Sequence, residues 1–188
     1  MTRTSSLLPA MAVAGLLTAC GGDFFSGTVR GASFQPRDAV FMTSSPPGST
    51  GQLAFVAMSD QSGLCDKLKA NQAPKSSSMF GLVLGVMDTT GLGALVPGSY
   101  VVVSRSSSTT GNISMAFFDH LDAWCQSTFG PASAEGTAGS VELTDITIEA
   151  GGSASGTFDV NFDTDRVTGS FVAPYCDGTM STREPTCI

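Results

Sequence analysis

Charge is scarce in this 188-residue chain: 13% of the residues are Asp, Glu, Lys or Arg, and nine bases face sixteen acids, for a net charge of −7. Phosphate binding needs clustered Lys and Arg. Only Lys67, Lys69 and Lys75 cluster at all, so no nucleic-acid partner is expected. Histidine occurs once, at His120, and any Ser-His-Asp or histidine-metal chemistry must therefore use it. The chain has no G-x-S-x-G elbow, no H-E-x-x-H pair and no C-x-x-C pair, which removes the usual signatures of a serine hydrolase, a zinc peptidase and a thiol redox centre. Beyond the N-terminus no apolar run approaches the roughly 20 residues that a membrane-spanning helix requires. The longest, around Leu82 to Met87 and Val101 to Val103, are strand-sized.

What is present is glycine, 22 residues of it, between short apolar segments. That composition predicts an exported all-β domain with little helix. Strands are expected over Ser26 to Phe34 (with glycine breaks), Ala39 to Met42, Leu53 to Met58, Met79 to Met87, Tyr100 to Ser104 and Ile113 to Phe118. The run Met79 to Met87 reads as a buried strand. One short helix is expected over Gln61 to Ala70, capped by Ser59-Asp60, with Leu64 and Leu68 on one face and Gly63 weakening it. Near the C-terminus, Phe158, Val160 and Phe162 alternate with polar residues, and Val167, Phe171, Ala173 and Tyr175 continue the pattern beyond Asp163-Thr164-Asp165-Arg166, as in a β-hairpin. Val141 and Leu143 fall one residue out of phase with Ile146 and Ile148, predicting a bulge near Asp145. About nine short strands and one helix suggest a mainly antiparallel β-sandwich, with a flattened β-barrel as the alternative. Four segments begin alike, at Gly27, Gly139, Gly156 and Gly169, at spacings too irregular for a solenoid.

The N-terminus carries an address. Arg3 precedes the short apolar run Leu7, Leu8, Met11, Val13, Leu16 and Leu17, which ends at Leu17-Thr18-Ala19-Cys20. This run resembles the lipobox of bacterial lipoproteins: leucine, a small residue, alanine and then the cysteine. The resemblance implies that residues 1–19 are a signal peptide and that Cys20 is acylated and becomes the new N-terminus. It further implies that 20–25 form a short tether and that 26–188 form a single β domain. Losing 1–19 removes Arg3 and no acid, taking the net charge to −8. Two or more acyl chains hold a protein on a bilayer where one does so only marginally. Gly21 stands where an inner-membrane retention signal often places Asp, which favours the outer membrane by the same resemblance. The rest of the chain resembles small envelope lipoproteins in style alone, a likeness that transfers no active site.

With Cys20 reserved for lipid, Cys65, Cys125, Cys176 and Cys187 remain, an even number in an oxidising compartment. Of the three connectivities, Cys176 with Cys187 and Cys65 with Cys125 is the expected one, because Gly178 and Pro185 suit a small closed loop at the C-terminus. One histidine and no C-x-x-C leave zinc without a ligand set.

The remaining chemistry-bearing residues have ordinary explanations beside the functional ones. His120 lies between Asp119 and Asp122 at the end of an apolar strand, where a surface turn accounts for it. Asp159, Asp163 and Asp165 surround a hairpin turn and offer oxygens to calcium, but they lack the spacing of an EF-hand, and aspartate is an ordinary turn residue. Of the glutamates Glu135, Glu142, Glu149 and Glu184, those at 142 and 149 read as solvent-facing strand positions. Trp124 with Phe117, Phe118 and Phe129 suggests either an aromatic platform or core. No catalytic residue, metal or cofactor is assigned. The expectation is a lipid-anchored, noncatalytic binding or structural module of the bacterial cell envelope that contacts an envelope protein or a glycan. The alternatives are a small hydrolase using acidic residues, or a carrier of a small apolar ligand, which needs a barrel with an unfilled interior.

Overall fold

The computed structural model describes residues 24–46, 48–107, 109–130, 133–178 and 185–188. The Leu17-Thr18-Ala19-Cys20 box lies outside the described residues. The strands are β1 (Phe24–Ser26), β2 (Thr28–Val29), β3 (Ala32–Ser33), β4 (Asp38–Ser44), β5 (Leu53–Ser59), β6 (Gln72–Ala73), β7 (Ser78–Asp88), β8 (Gly91–Leu92) and β9 (Gly98–Val102). They continue with β10 (Gly111–His120), β11 (Ala134–Glu135), β12 (Ala138–Ile146), β13 (Ser153–Phe162), β14 (Asp165–Pro174) and β15 (Thr186–Cys187), and one helix, α1 (Leu64–Lys69), follows β5. The chain is all-β, and its main sheet runs in the order β1-β14-β13-β12-β9-β10-β7-β5-β4. Phe24, inside the stretch expected to be tether, pairs with Ser170 in that sheet.

Each neighbouring pair on this path is antiparallel except β9 with β10. That parallel pair joins the β12–β14 half to the β4–β10 half, so the two packed sheets of a sandwich are replaced by one continuous curled sheet, a half-barrel close to the flattened-barrel alternative. Its rims meet at one place: the Cys176 N–H, just past β14, donates to the Phe41 carbonyl of β4 at 2.8 Å. There the rings of Phe41 and Tyr175 lie 5.0 Å apart.

The interior is filled with rings. Phe80 on β7 meets Phe158 on β13 at 4.6 Å between centroids, and Phe25 of β1 touches Phe34, Phe80, Phe118 and Phe158. Burying each such side chain contributes about 1.5–3 kcal/mol. Two of the segments that begin alike explain how so many rings fit. Gly156 pairs with Phe171 and Phe158 pairs with Gly169, so the two Gly-x-Phe motifs of β13 and β14 interlock, each ring lying over the glycine opposite. A Cβ on Gly169 would sit 2.1 Å from the Phe24 carbonyl oxygen and 2.3 Å from the Phe158 ring, and one on Gly156 would sit 2.3 Å from the Glu142 carbonyl oxygen and 2.9 Å from the Phe171 ring.

The hairpin forms as the alternation predicts, with a shorter turn: Phe162 pairs with Asp165, leaving only Asp163 and Thr164 between the strands. The register shift in β12 falls between Leu143 and Asp145, where the phase change places it. Helix α1 starts later than expected. Ser59 and Asp60 do not cap it, because the Ser59 hydroxyl accepts from Gln61 N–H and the Asp60 carboxylate from Ser78 N–H. Gly63, at φ 73°, opens the helix instead, and the Asp38 carboxylate on β4 accepts from the Leu64 N–H at 2.8 Å. A donor left over at the first turn is thus satisfied from 26 residues away.

Gly169→Val should clash with the Phe24 carbonyl of β1 as well as the Phe158 ring and destabilise the domain by about 1–3 kcal/mol or more in denaturant titration. Tyr100 gives a pH test. Its side chain is fully buried and its hydroxyl donates to the Val96 carbonyl at 2.6 Å. Burial raises its pKa above the ordinary 10.0, against the smaller opposing effect of the Val96 N–H, which donates to its oxygen at 3.3 Å. A raised folded-state pKa means stability that is complete below the unfolded value and lost as pH climbs through the folded one. Melting temperature should therefore fall above about pH 10, and Tyr100→Phe should flatten that alkaline limb.

Candidate functional site

The half-barrel has an unusual outer surface over one sector. In β4, β5 and β7 both faces are apolar, so while Phe41, Val56 and Leu82 point into the ring-filled core, Val40, Met42, Phe55 and Ala57 form a second buried cluster outside it. Leu64 and Leu68 of α1, with Cys65 and Cys176, cover that cluster. Phe117 joins it by lying flat over Gly81, the residue opposite it on β7; a Cβ there would meet the ring at 2.1 Å. Freed from any side chain beneath, Phe117 stacks on Phe55 at 5.6 Å with an interplanar angle of 8°.

The cover is incomplete, and what it leaves open is a groove of about 300 Å³. Its floor is a row of directly paired residues, Ser59 on β5, Met79 on β7 and Asp119 on β10, flanked by Met42 and Phe55. Its walls are Leu64 and Leu68 of α1, residues 71–74 through β6, and Pro185. Small-molecule sites occupy roughly 300–1,000 Å³ and are lined mainly by apolar groups with a few placed polar ones, so this groove lies at the small end of that class.

Both disulfides hold the walls, with a pairing other than the expected one. Cys65 of α1 bonds Cys176, and Cys125 in the loop after β10 bonds Cys187 of β15. Compactness of the C-terminal loop was the wrong criterion. Cys176 is fixed by its backbone bond to Phe41 and meets Cys65 of α1, whereas Cys187 lies in β15, which pairs in parallel with β6 and meets the loop of Cys125. The bridges span sequence separations of 111 and 62. On chain-entropy grounds each restricts the unfolded state by about 4–5 kcal/mol.

His120 and Asp119 face opposite ways from the end of β10. His120 Nδ1 lies 2.8 Å from the hydroxyl of Ser78, which is buried, while Asp119 Oδ1 accepts from the Ser127 hydroxyl at 2.6 Å and from the His120 N–H at 2.9 Å. Ser78 is thus held on the Nδ1 side, where a catalytic triad places its carboxylate. The hairpin acids are all partnered: Asp159 binds the Arg166 guanidinium through both oxygens, Asp163 lies 3.4 Å from the Arg30 guanidinium, and Asp165 accepts from the Arg30 backbone N–H. No cluster of three or more metal-ligating side chains occurs among the described residues. Hydrogen bonding to Arg166 lowers the Asp159 pKa below the usual carboxylate range.

The glutamates are dispersed. Glu142 faces solvent from β12 as expected, Glu149 is exposed but lies between β12 and β13 rather than on a strand, Glu135 on β11 accepts from the Arg105 backbone N–H, and Glu184 lies outside the described residues. The suggested aromatic platform is divided between two faces: Phe118 is core, Phe117 belongs to the outer cluster, Phe129 packs against the core beneath Arg30, and Trp124 is 77% exposed. The groove itself was missed in the sequence. The usable signal was the unbroken apolar character of β4 and β5 alongside β7, which requires cover on both faces.

Fold and site together define an all-β, disulfide-stapled domain with a packed half-barrel and an external apolar groove. No protein-family model, curated protein or solved structure matches the chain.

Non-reducing peptide mapping should recover Cys65 with Cys176 and Cys125 with Cys187; the other two pairings would contradict the topology. Replacing Cys65 and Cys176 together by Ser should cost about 2–5 kcal/mol. The Asp159–Arg166 pair makes a smaller, acid-sensitive contribution, present at neutral pH and lost as pH falls through and below the ordinary carboxylate range, because the folded-state pKa is the lower one. Asp159→Asn should remove that acid dependence while barely moving the neutral melting temperature.

Proposed function

We propose that this protein is a lipid-anchored, noncatalytic binding module of the bacterial envelope, held at the outer membrane through Cys20, with the groove beneath α1 as its ligand site. The observation that carries the binding role is the contrast between the two apolar regions. The barrel interior is packed with phenylalanine rings, whereas the outer cluster, covered by α1 and the C-terminal segment, stays open over Met42, Phe55, Met79 and Leu68. A carrier with its ligand in the barrel lumen would need space that these rings occupy. A glycosidase-like hydrolase would need two carboxylates facing one another across a cleft, and Asp119 is the only carboxylate lining the groove among the described residues. The lipobox resemblance of Leu17-Thr18-Ala19-Cys20 supports the anchoring.

Two measurements test the two halves of this reading. Cys20→Ser should move the protein from the membrane to the soluble fraction with its cooperative melt unchanged; persistent membrane attachment would refute lipid anchoring. A thermal-shift panel of small amphiphiles, peptidoglycan fragments and oligosaccharides should yield a dose-dependent rise for at least one class, about 2.7 kcal/mol at a hundredfold excess over Kd. That rise should vanish in Leu68→Gln. A flat panel, or a shift that survives Leu68→Gln, would remove the groove as the ligand site.

A further inference from the structure

We infer that the groove selects a small amphiphile with an apolar body and a single ammonium head, and that Asp119 is the residue that reads the head. This inference rests on the groove being the ligand site. Two of the hydroxyls that line it are committed internally. The Ser59 hydroxyl accepts from Gln61 N–H at 3.1 Å, and the Ser77 hydroxyl donates to the Pro74 carbonyl at 2.6 Å. Both bonds to Asp119, from the Ser127 hydroxyl and the His120 N–H, go to Oδ1. Asp119 Oδ2 has no hydrogen-bond partner among the described residues, and Asp119 takes part in neither of their two ion pairs.

The Oδ1 bonds orient the carboxylate, since one donor is the backbone immediately after it and the other comes from the loop eight residues on. A pre-oriented carboxylate oxygen at the edge of an apolar floor accepts N–H donors, most strongly charged ones. It repels carboxylate and phosphate heads, and the net charge of −7 acts in the same direction. Met42 and Met79, flexible and polarisable, allow the apolar part of the site to adapt to bodies of differing shape. The volume of about 300 Å³ limits the body to a short chain or a single ring system.

Three probes with the same eight-carbon chain and different heads separate the contributions: octylammonium, octanol and octanoate. They are titrated calorimetrically into the full chain carrying Cys20→Ser. Octylammonium should bind about tenfold more tightly than octanol, the scale of one charge-assisted hydrogen bond at a partly exposed site, and octanoate should bind most weakly. Asp119→Asn retains an oxygen for the Ser127 and His120 bonds; it should bring octylammonium down to the affinity of octanol and leave octanol itself unchanged. Leu68→Gln should weaken all three. Equal affinity for the three heads, or an ammonium preference that survives Asp119→Asn, would overturn the role of Asp119 while leaving the groove as a binding site. Failure of all three probes to bind would overturn the role of Asp119 and the groove together.

Discussion

One constraint organises this molecule: three neighbouring strands, β4, β5 and β7, are apolar on both faces. A barrel strand usually shows one face to the interior and the other to water, and these cannot. Their inner side chains are satisfied by the phenylalanine core, but Val40, Met42, Phe55 and Ala57 on the outside need a second cover. Helix α1 is too short to be stable by itself, at 6 residues. It persists because Leu64 and Leu68 rest on that outer cluster, Asp38 satisfies its first N–H, and Cys65 ties it to the end of β14. The groove is where this cover stops short.

The disulfides belong to the same account. Neither closes a local loop; each fastens a covering segment to the structure it covers or to its neighbour, α1 to the strand end at Cys176 and β15 to the loop carrying Cys125. The covering layer has little regular hydrogen bonding, with β6 and β15 contributing two residues each to a parallel ladder. Covalent bonds supply the order that so short a ladder does not. The rest of the sheet, from β12 to β14, has a polar outer face and requires no such device.

Much of the fold was legible because strand patterning is local. The alternation through Phe158, Val160 and Phe162, the phase change near Asp145 and the two Gly-x-Phe segments appear in the structure as a hairpin, a register shift and an interlocking pair of glycine–ring contacts. The helix was legible in position but not in its cap, since its capping group, Asp38, lies on a strand 26 residues earlier. The choice between two packed sheets and one curled sheet turned on the parallel β9–β10 pair, two registered residue pairs with no signature of their own in the sequence.

The sequence by itself determined the all-β class, the main hairpin, the partition of one side of the sheet into buried and solvated faces, and the likeness of residues 17–20 to a lipobox, since each depends on residues adjacent or two apart in the chain. Tertiary structure alone decided which cysteines join, which side of β10 receives Asp119 and which His120, and that a groove exists at all. The physical reason is that these depend on where a curled sheet brings its distant parts together. The backbone bond from Cys176 to Phe41 joins residues 135 positions apart, and neither composition nor periodicity encodes a meeting at that range.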